Sequence, residues 1–153
     1  MSKQQTKIHG LEIIPLQVNF DDRGYLFEII HSYDMSKFGQ VYVVGDPVRG
    51  TIRAFHRHEI LWDYFCIIKG SAKFIFVDDR KDSKTHKEQE IVILSEKVPK
   101  MIIVPPGVYH GWMSLEDNTI MVSIGSEVYD KGKPDEIRIP YDSFGDLWTI
   151  KRK

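Results

Sequence analysis

The chain has 153 residues, 42% of them hydrophobic and 28% charged, with 21 basic against 22 acidic side chains and a net charge of −1. That length fits one domain around one core, residues 1–153, and that composition excludes a disordered chain. The even charge balance offers no footing to nucleic acid or to an acidic membrane surface, although a local basic pocket for a phosphorylated small molecule stays open.

In chain order, residues 1–8 are polar and carry no apolar leader, and no later run reaches membrane-spanning length, so the expected location is cytoplasmic. Short runs rich in β-branched and aromatic residues predict strands over 11–16, 24–30, 40–44, 51–55 and 64–69. One helical turn is expected over 34–38. Lys69-Gly70-Ser71 predicts a tight turn into a strand over 72–77, and the charged stretch 78–89 an exposed loop. Further strands are expected over 90–94, 101–104, 119–124 and 136–139, with a loop over 129–135. About ten short strands without a sustained helical stripe imply a closed or double-sheet all-β architecture. The lone Cys66 sits in an apolar run, cannot form an internal disulfide and is expected to be buried and inert in a reducing compartment. Phe144, Leu147, Trp148 and Ile150 are expected to pack the tail back on the strands, leaving residues 151–153 as a solvated end.

Two stretches carry chemistry. The first runs Gly50, His56, His58, Asp63, Gly70. Two residues apart on a strand, His56 and His58 face the same side, which suits a polar interior better than a dry core. The second reads Pro105-Pro106-Gly107-Val108-Tyr109-His110, a rigid turn that can aim His110 inward. Three imidazoles and a carboxylate are also the ligand types of a divalent transition metal. The bland alternative is a polar lining with no chemistry. His9, His31 and His86 have no such company and are expected in solvent. Trp62, Phe65, Phe74, Phe76 and Trp112 are expected as core or subunit contacts, and Tyr42 can serve equally as a packing residue on its strand.

Together the two stretches resemble the paired motifs of the cupins, with Asp63 where glutamate is usual, which implies a jelly-roll β-sandwich barrel with little helix. More of the chain resembles the dTDP-4-dehydrorhamnose 3,5-epimerase family within the cupins. The resembling segments are Asp22-Arg23-Gly24-Tyr25-Leu26-Phe27-Glu28, Arg53-Ala54-Phe55-His56, Asp78-Asp79-Arg80-Lys81-Asp82-Ser83, Pro106 to Trp112 and Asp135 to Trp148. The resemblance implies proton abstraction next to the ketone of a dTDP-4-keto-6-deoxy sugar. It makes His56 the base, a carboxylate near the C-terminus its support (nearest match Asp142), and Arg23 and Arg53 holders of the nucleotide diphosphate, with Glu28 and His110 at the substrate. It implies no cofactor and a homodimer whose N-terminal strands cross the interface.

This sequence departs from the family pattern at three places. His58 replaces a glutamine, Asp63 falls where the family has an active-site lysine, and the strand over 119–124 lacks the family's acid tyrosine, with Ser123 the nearest match. The Phe55-His56-Arg57-His58 pattern is instead similar to the dTDP-sugar 3,4-ketoisomerases, whose site includes a tyrosine on the preceding strand, where Tyr42 stands. The catalytic candidates are therefore His56, His58, Asp63, Tyr42 and Asp142. Rival readings are that ketoisomerase, a metal cupin (an isomerase or a dioxygenase) with His56, His58, Asp63 and His110 around one divalent transition metal, and a non-catalytic sugar-binding cupin.

Overall fold

A computed structural model describes residues 3–150. Its strands are β1 (Glu12–Pro15), β2 (Val18–Asp21), β3 (Gly24–Phe27), β4 (Gln40–Asp46), β5 (Ile52–Arg57), β6 (Asp63–Lys69), β7 (Ser71–Asp78), β8 (Gln89–Ser95), β9 (Lys100–Val104), β10 (Val108–Ser114), β11 (Thr119–Gly125) and β12 (Ile137–Arg138). Two five-stranded antiparallel sheets face each other, ordered β1-β9-β6-β11-β4 and β12-β5-β10-β7-β8, and β2-β3 forms a separate hairpin. This is the all-β jelly-roll sandwich expected from the sequence. No helix of the described residues is long and apolar enough to cross a membrane.

Strand alternation builds the layers. On β7, Phe74 and Phe76 point between the sheets, where they pack with Phe65, Ile67, Ile102, Val104, Met121 and Trp112. The intervening Ile75 and Val77 point outward, into a second cluster with Phe55, Tyr109, Met113 and Trp148. The C-terminal segment closes that outer face. Trp148 is buried, its indole N–H donates to the Tyr141 carbonyl at 2.8 Å, and Phe144 and Leu147 lie partly buried beside it. Burying one such side chain contributes about 1.5–3 kcal/mol, so the tail is part of the fold. The outer face of the first sheet carries a third cluster of Tyr64, Met101, Ile103 and Ile124 under Ile14, Leu16, Ile29, Ile30 and Met35.

The differences from the sequence reading are local. The strand expected over 24–30 stops at Phe27, and the helical turn expected over 34–38 is a 3₁₀ turn over Ser32–Asp34. The short β2 is only four residues of alternating apolar and polar side chains, too brief to stand out, and β10 is a full strand where only a turn toward a strand was read. Cys66 is buried as expected, and burial pushes its thiol up to about 12. Ile150 stays exposed, His31 and His86 are half-buried rather than in solvent, and residues 151–153 lie outside the described ones.

Candidate active site

Between the sheets lies a hollow of about 510 Å³ whose wall includes Tyr42, Arg53, His56, His110, Glu136 and Arg138 above a floor of Phe65, Phe74 and Trp112. The β5–β10 pairing sets its geometry. His110 is registered opposite His56, and the register slips by one between His110 and Trp112, a β-bulge that re-aims the side chains beside it. Gly111 sits in that bulge because nothing larger fits, since a Cβ there would lie 2.3 Å from the Ala54 Cβ. The imidazole ring centroids of His56 and His110 are 4.2 Å apart, and those of His56 and His58 are 5.4 Å apart. The proline-glycine turn ties the two motifs together. Gly107, at φ +80°, donates its N–H to the His58 carbonyl at 2.8 Å.

Asp63 opens β6 at the base of this triangle. It is buried, and its Oδ2 lies 3.2 Å from His110 Nε2 and 3.3 Å from His58 Nε2. Neither approach is aligned as a hydrogen bond, so among the described residues Asp63 Oδ2 and His110 Nε2 are buried without a hydrogen-bond partner. The far ring nitrogens are engaged. His110 Nδ1 meets the Val108 carbonyl at 3.0 Å, and His58 Nδ1 meets the Asp135 carbonyl. Asp135 also braces the chain after β5, its carboxylate accepting the N–H groups of Glu59, Ile60 and Leu61 at 2.9 Å each.

These surroundings split the imidazoles. Burial first, then repulsion from His110, lowers His56 to about 2, against a smaller opposite pull from Asp63, so His56 is neutral with a free lone pair. Burial alone would lower His58, but the Asp63 carboxylate outweighs it and raises it. Burial would raise Asp63, yet His110 and His58 together hold it below the usual carboxylate range. On the opposite sheet Tyr42 faces the hollow, its phenol pushed up by desolvation and then by Asp63. Its register partner on β11 is Ser123, whose buried hydroxyl has no hydrogen-bond partner among the described residues.

The structure thus brings His56, His58, Asp63, His110, Tyr42 and Arg53 together. Asp142 is a correction. It is exposed and lines a separate depression on the outer face with Met113, Gly145 and Trp148, because the tail crosses the far side of the second sheet. The C-terminal carboxylate that does reach the hollow is Glu136, 15% exposed and paired with Arg138 at 3.0 Å. Arg23 and Glu28 also lie outside this chain's hollow. Arg23 sits on the β2–β3 turn with its own Asp21 as partner, and Glu28 reaches His31 at 3.2 Å. Glu136 and Arg138 fall in the strand expected over 136–139 and Asp135 ends the loop before it, but no local motif or spacing marks any of the three as a site residue. The Asp135 to Trp148 similarity was the one available signal for them. Arg53 holds the buried Asp46 at 2.8 Å and keeps half its side chain open at the mouth of the hollow, with the more exposed Arg138 nearby.

A family model described as dTDP-4-dehydrorhamnose 3,5-epimerase matches residues 5–151. Among curated proteins, the chain is 36% identical to the probable low-salt glycan biosynthesis epimerase Agl13 of Haloferax volcanii, covering 88% of this chain and 89% of that one. It is 32% identical to the spore coat polysaccharide biosynthesis protein SpsL of Bacillus subtilis, covering 94% and 98%. Among solved structures, dTDP-4-dehydrorhamnose 3,5-epimerase from Elizabethkingia anophelis superposes with a TM-score of 0.86 at 21% identity, over 99% of this chain and 87% of that one. The rmlC epimerase of Mycobacterium tuberculosis gives 0.85 at 23%, over 93% and 74%. At those identities the superpositions speak for the fold.

Proposed function

The chain belongs to the dTDP-4-dehydrorhamnose 3,5-epimerase family, an isomerase family acting on dTDP-linked sugars, and from that premise we propose that it inverts carbon next to the ketone of a dTDP-4-keto-6-deoxy sugar, with His56 as base and Tyr42 as acid. The observation that carries the assignment is that His56 and Tyr42 line one hollow from opposite sheets. Inversion needs a proton removed from one face of the sugar and returned to the other, and two groups on facing walls supply that. Membership of this family favours epimerisation over ketoisomerisation.

A proton alpha to a carbonyl needs only a modest base if the enolate is stabilised as it forms. His56 is neutral but weakly basic, because burial and its imidazole neighbours disfavour its charged form. An entering diphosphate is anionic and would raise its proton affinity by the same electrostatics that His110 and His58 now use to lower it. His58 and His110, whose ring nitrogens face Asp63 and two backbone carbonyls, pack beside His56 and set the charge around it. Arg53 and Arg138 offer guanidinium forks at the mouth for the diphosphate oxygens. The substrate's own ketone supplies the acidity, so this route calls on no cofactor.

Arg23 and Glu28 fit the reading only in a homodimer that carries the β2–β3 region to the partner's hollow. Phe20, Tyr25 and Leu26 on that hairpin are 76%, 66% and 60% exposed, and Val41 and Val43 on β4 are exposed too, an apolar surface suited to a second copy. A cytoplasmic location completes the proposal, in keeping with a free buried thiol. The test is proton NMR of dTDP-4-keto-6-deoxyglucose with the protein in heavy water. Deuterium entering a carbon beside the ketone supports the reading, and none entering overturns it.

A further inference from the structure

The mouth of the hollow holds an ion pair that joins the two sheets. Asp46 ends β4, at the edge of the first sheet, and Arg53 sits on β5 of the second. The Asp46 side chain is fully buried, and its Oδ1 accepts from Arg53 Nε at 2.8 Å. Among the described residues Arg53 makes no other hydrogen bond, and Asp46 Oδ2 is buried without a hydrogen-bond partner. The pair is therefore a one-point grip. Arg80 shows the alternative in the same molecule. Its Nε and Nη2 hold both oxygens of Asp78, and Nη2 also donates to the His9 carbonyl. A guanidinium carries five N–H donors in a planar fork. Held by Nε and Nη2, as in Arg80, it gives up part of its Nη edge. Held by Nε alone, as in Arg53, it keeps the four Nη hydrogens for a visitor. Arg53 is half exposed on the lining of the hollow, so that edge is within reach of one.

We propose that Asp46 is a positioning residue that presents Arg53 end-on to two oxygens of a nucleotide diphosphate. That role presupposes Arg53 as a holder of diphosphate, and the grip is what Asp46 adds. An untethered arginine side chain loses rotamer freedom when a ligand orders it, and that loss costs affinity. A side chain ordered during folding has already met it. The anchor is itself fixed. Asp46 is registered opposite Thr119 on β11. The turn from β4 to β5 is fastened to its neighbours, with the Gly50 N–H donating to the Ser114 carbonyl at 2.8 Å, Ser114 Oγ to the Val48 carbonyl at 2.9 Å and the Arg49 N–H to Asp117 at 2.7 Å. Asp46 also has an opposite effect, because its negative charge weakens the pull of the mouth on an anion. It meets the guanidinium at Nε, however, across the central carbon from the edge between the two Nη atoms. Repulsion there falls with distance and with water at the mouth, so the grip outweighs it.

The test titrates dTDP by calorimetry into wild type, Asp46→Asn, Asp46→Ala, Arg53→Ala and the double variant Asp46→Ala with Arg53→Ala, each checked for folding by circular dichroism. Asp46→Ala is expected to weaken dTDP about tenfold, and Asp46→Asn, which keeps an acceptor oxygen for Nε without its charge, about threefold. Arg53→Ala should cost at least as much as Asp46→Ala, and the double variant no more than Arg53→Ala alone, because Asp46 acts through Arg53. Unchanged or tighter dTDP binding in a folded Asp46 variant overturns the role, since charge would then outweigh grip. Losses that add in the double variant overturn it as well. Should Asp46→Ala fail to fold, Asp46→Asn, alone and with Arg53→Ala, gives the same readings. In the exchange assay, KM for dTDP-4-keto-6-deoxyglucose should rise with the dTDP dissociation constant while kcat stays within about twofold. A fall in kcat at unchanged KM would make Asp46 part of the scaffold only. Wild-type protein that binds no dTDP up to about 1 mM overturns the role even where deuterium enters the sugar. Graded dTDP losses in a protein that exchanges no deuterium would leave Asp46 in place and remove the epimerase reading.

Discussion

Asp78 and Asp63 are buried to the same degree, at 0% and 2% exposure, and lie at the ends of β7 and β6, consecutive strands that belong to opposite sheets. Their oxygens are treated in opposite ways. Asp78 Oδ1 accepts from Arg80 Nε at 2.8 Å, and Oδ2 accepts from Arg80 Nη2 at 2.8 Å, Ser83 at 2.6 Å and Thr85 at 2.7 Å. Asp63 has two imidazoles within 3.3 Å and no aligned donor on Oδ2. A carboxylate whose lone pairs are filled by its own loop has nothing left to offer a visitor, so it holds structure. One whose environment is charged but unfilled keeps its capacity for a proton, a substrate or an ion. Burial alone therefore does not separate the two carboxylates, whereas the filling of their lone pairs does.

The sharpest way to break that contrast is to remove the base on the unfilled side. His56→Asn should lower kcat/KM for deuterium entry into the sugar by about 10³-fold, about 4 kcal/mol of barrier, with little change in the urea midpoint. A large loss of stability with activity preserved per folded molecule would reassign His56 to the scaffold. Next in size, Asp78→Asn should cost about 3 kcal/mol of folding stability by stranding Arg80, while Asp63→Asn should cost less than about 1 kcal/mol. Equal losses in urea titrations would erase the distinction.

The same pair can be separated by pH. Burial works against Asp78, but Arg80, Ser83 and Thr85 outweigh it and hold its carboxyl well below the usual range. A depressed carboxylate contributes stability above its unfolded value of about 3.9 and loses it as pH falls toward the folded one. The gap between wild type and Asp78→Asn should thus be constant above about pH 5 and shrink below about pH 4. A gap that widens in acid would mean that the loop is held by something other than that charge.

A smaller effect is expected from the facing wall. Tyr42→Phe should lower product formation by about 10²-fold while leaving deuterium entry less affected, because it removes the acid and spares the base. Equal loss in both readouts would make Tyr42 a positioning residue.

How much of this was readable in the chain follows the same physics. The site triangle was legible because His56-x-His58 and Pro-Gly-x-x-His110 are local patterns whose side-chain directions follow from strand alternation and a rigid turn. The Asp78-x-Arg80-x-x-Ser83 loop was legible as a resemblance, and its hydrogen bonds span only five residues. The role of Asp63 was not legible, since it depends on β6, a strand of the opposite sheet, facing His58 and His110. Glu136 and Asp142 were confused for a related reason. Six residues separate them in the chain, but the tail passes from the edge of the hollow to the outer face between them, a path set by the burial of Trp148 and Phe144 against Phe55.

Ser123 gives the smallest and most discriminating test. It pairs in register with Tyr42, and its hydroxyl is buried without a partner. If that hydroxyl is idle, Ser123→Ala removes an unsatisfied polar group and should stabilise the fold by about 1 kcal/mol. If it is held for ligand, the stabilisation is the same but the substrate loses a hydrogen bond, and KM should rise roughly fivefold at unchanged kcat, the equivalent of about 1 kcal/mol. The second outcome is the one expected, because Ser123 pairs in register with Tyr42, which faces the hollow. Urea midpoints with steady-state kinetics on one variant read both quantities. A destabilised Ser123→Ala protein would show that the hydroxyl is already satisfied, placing Ser123 with Asp78 rather than with Asp63.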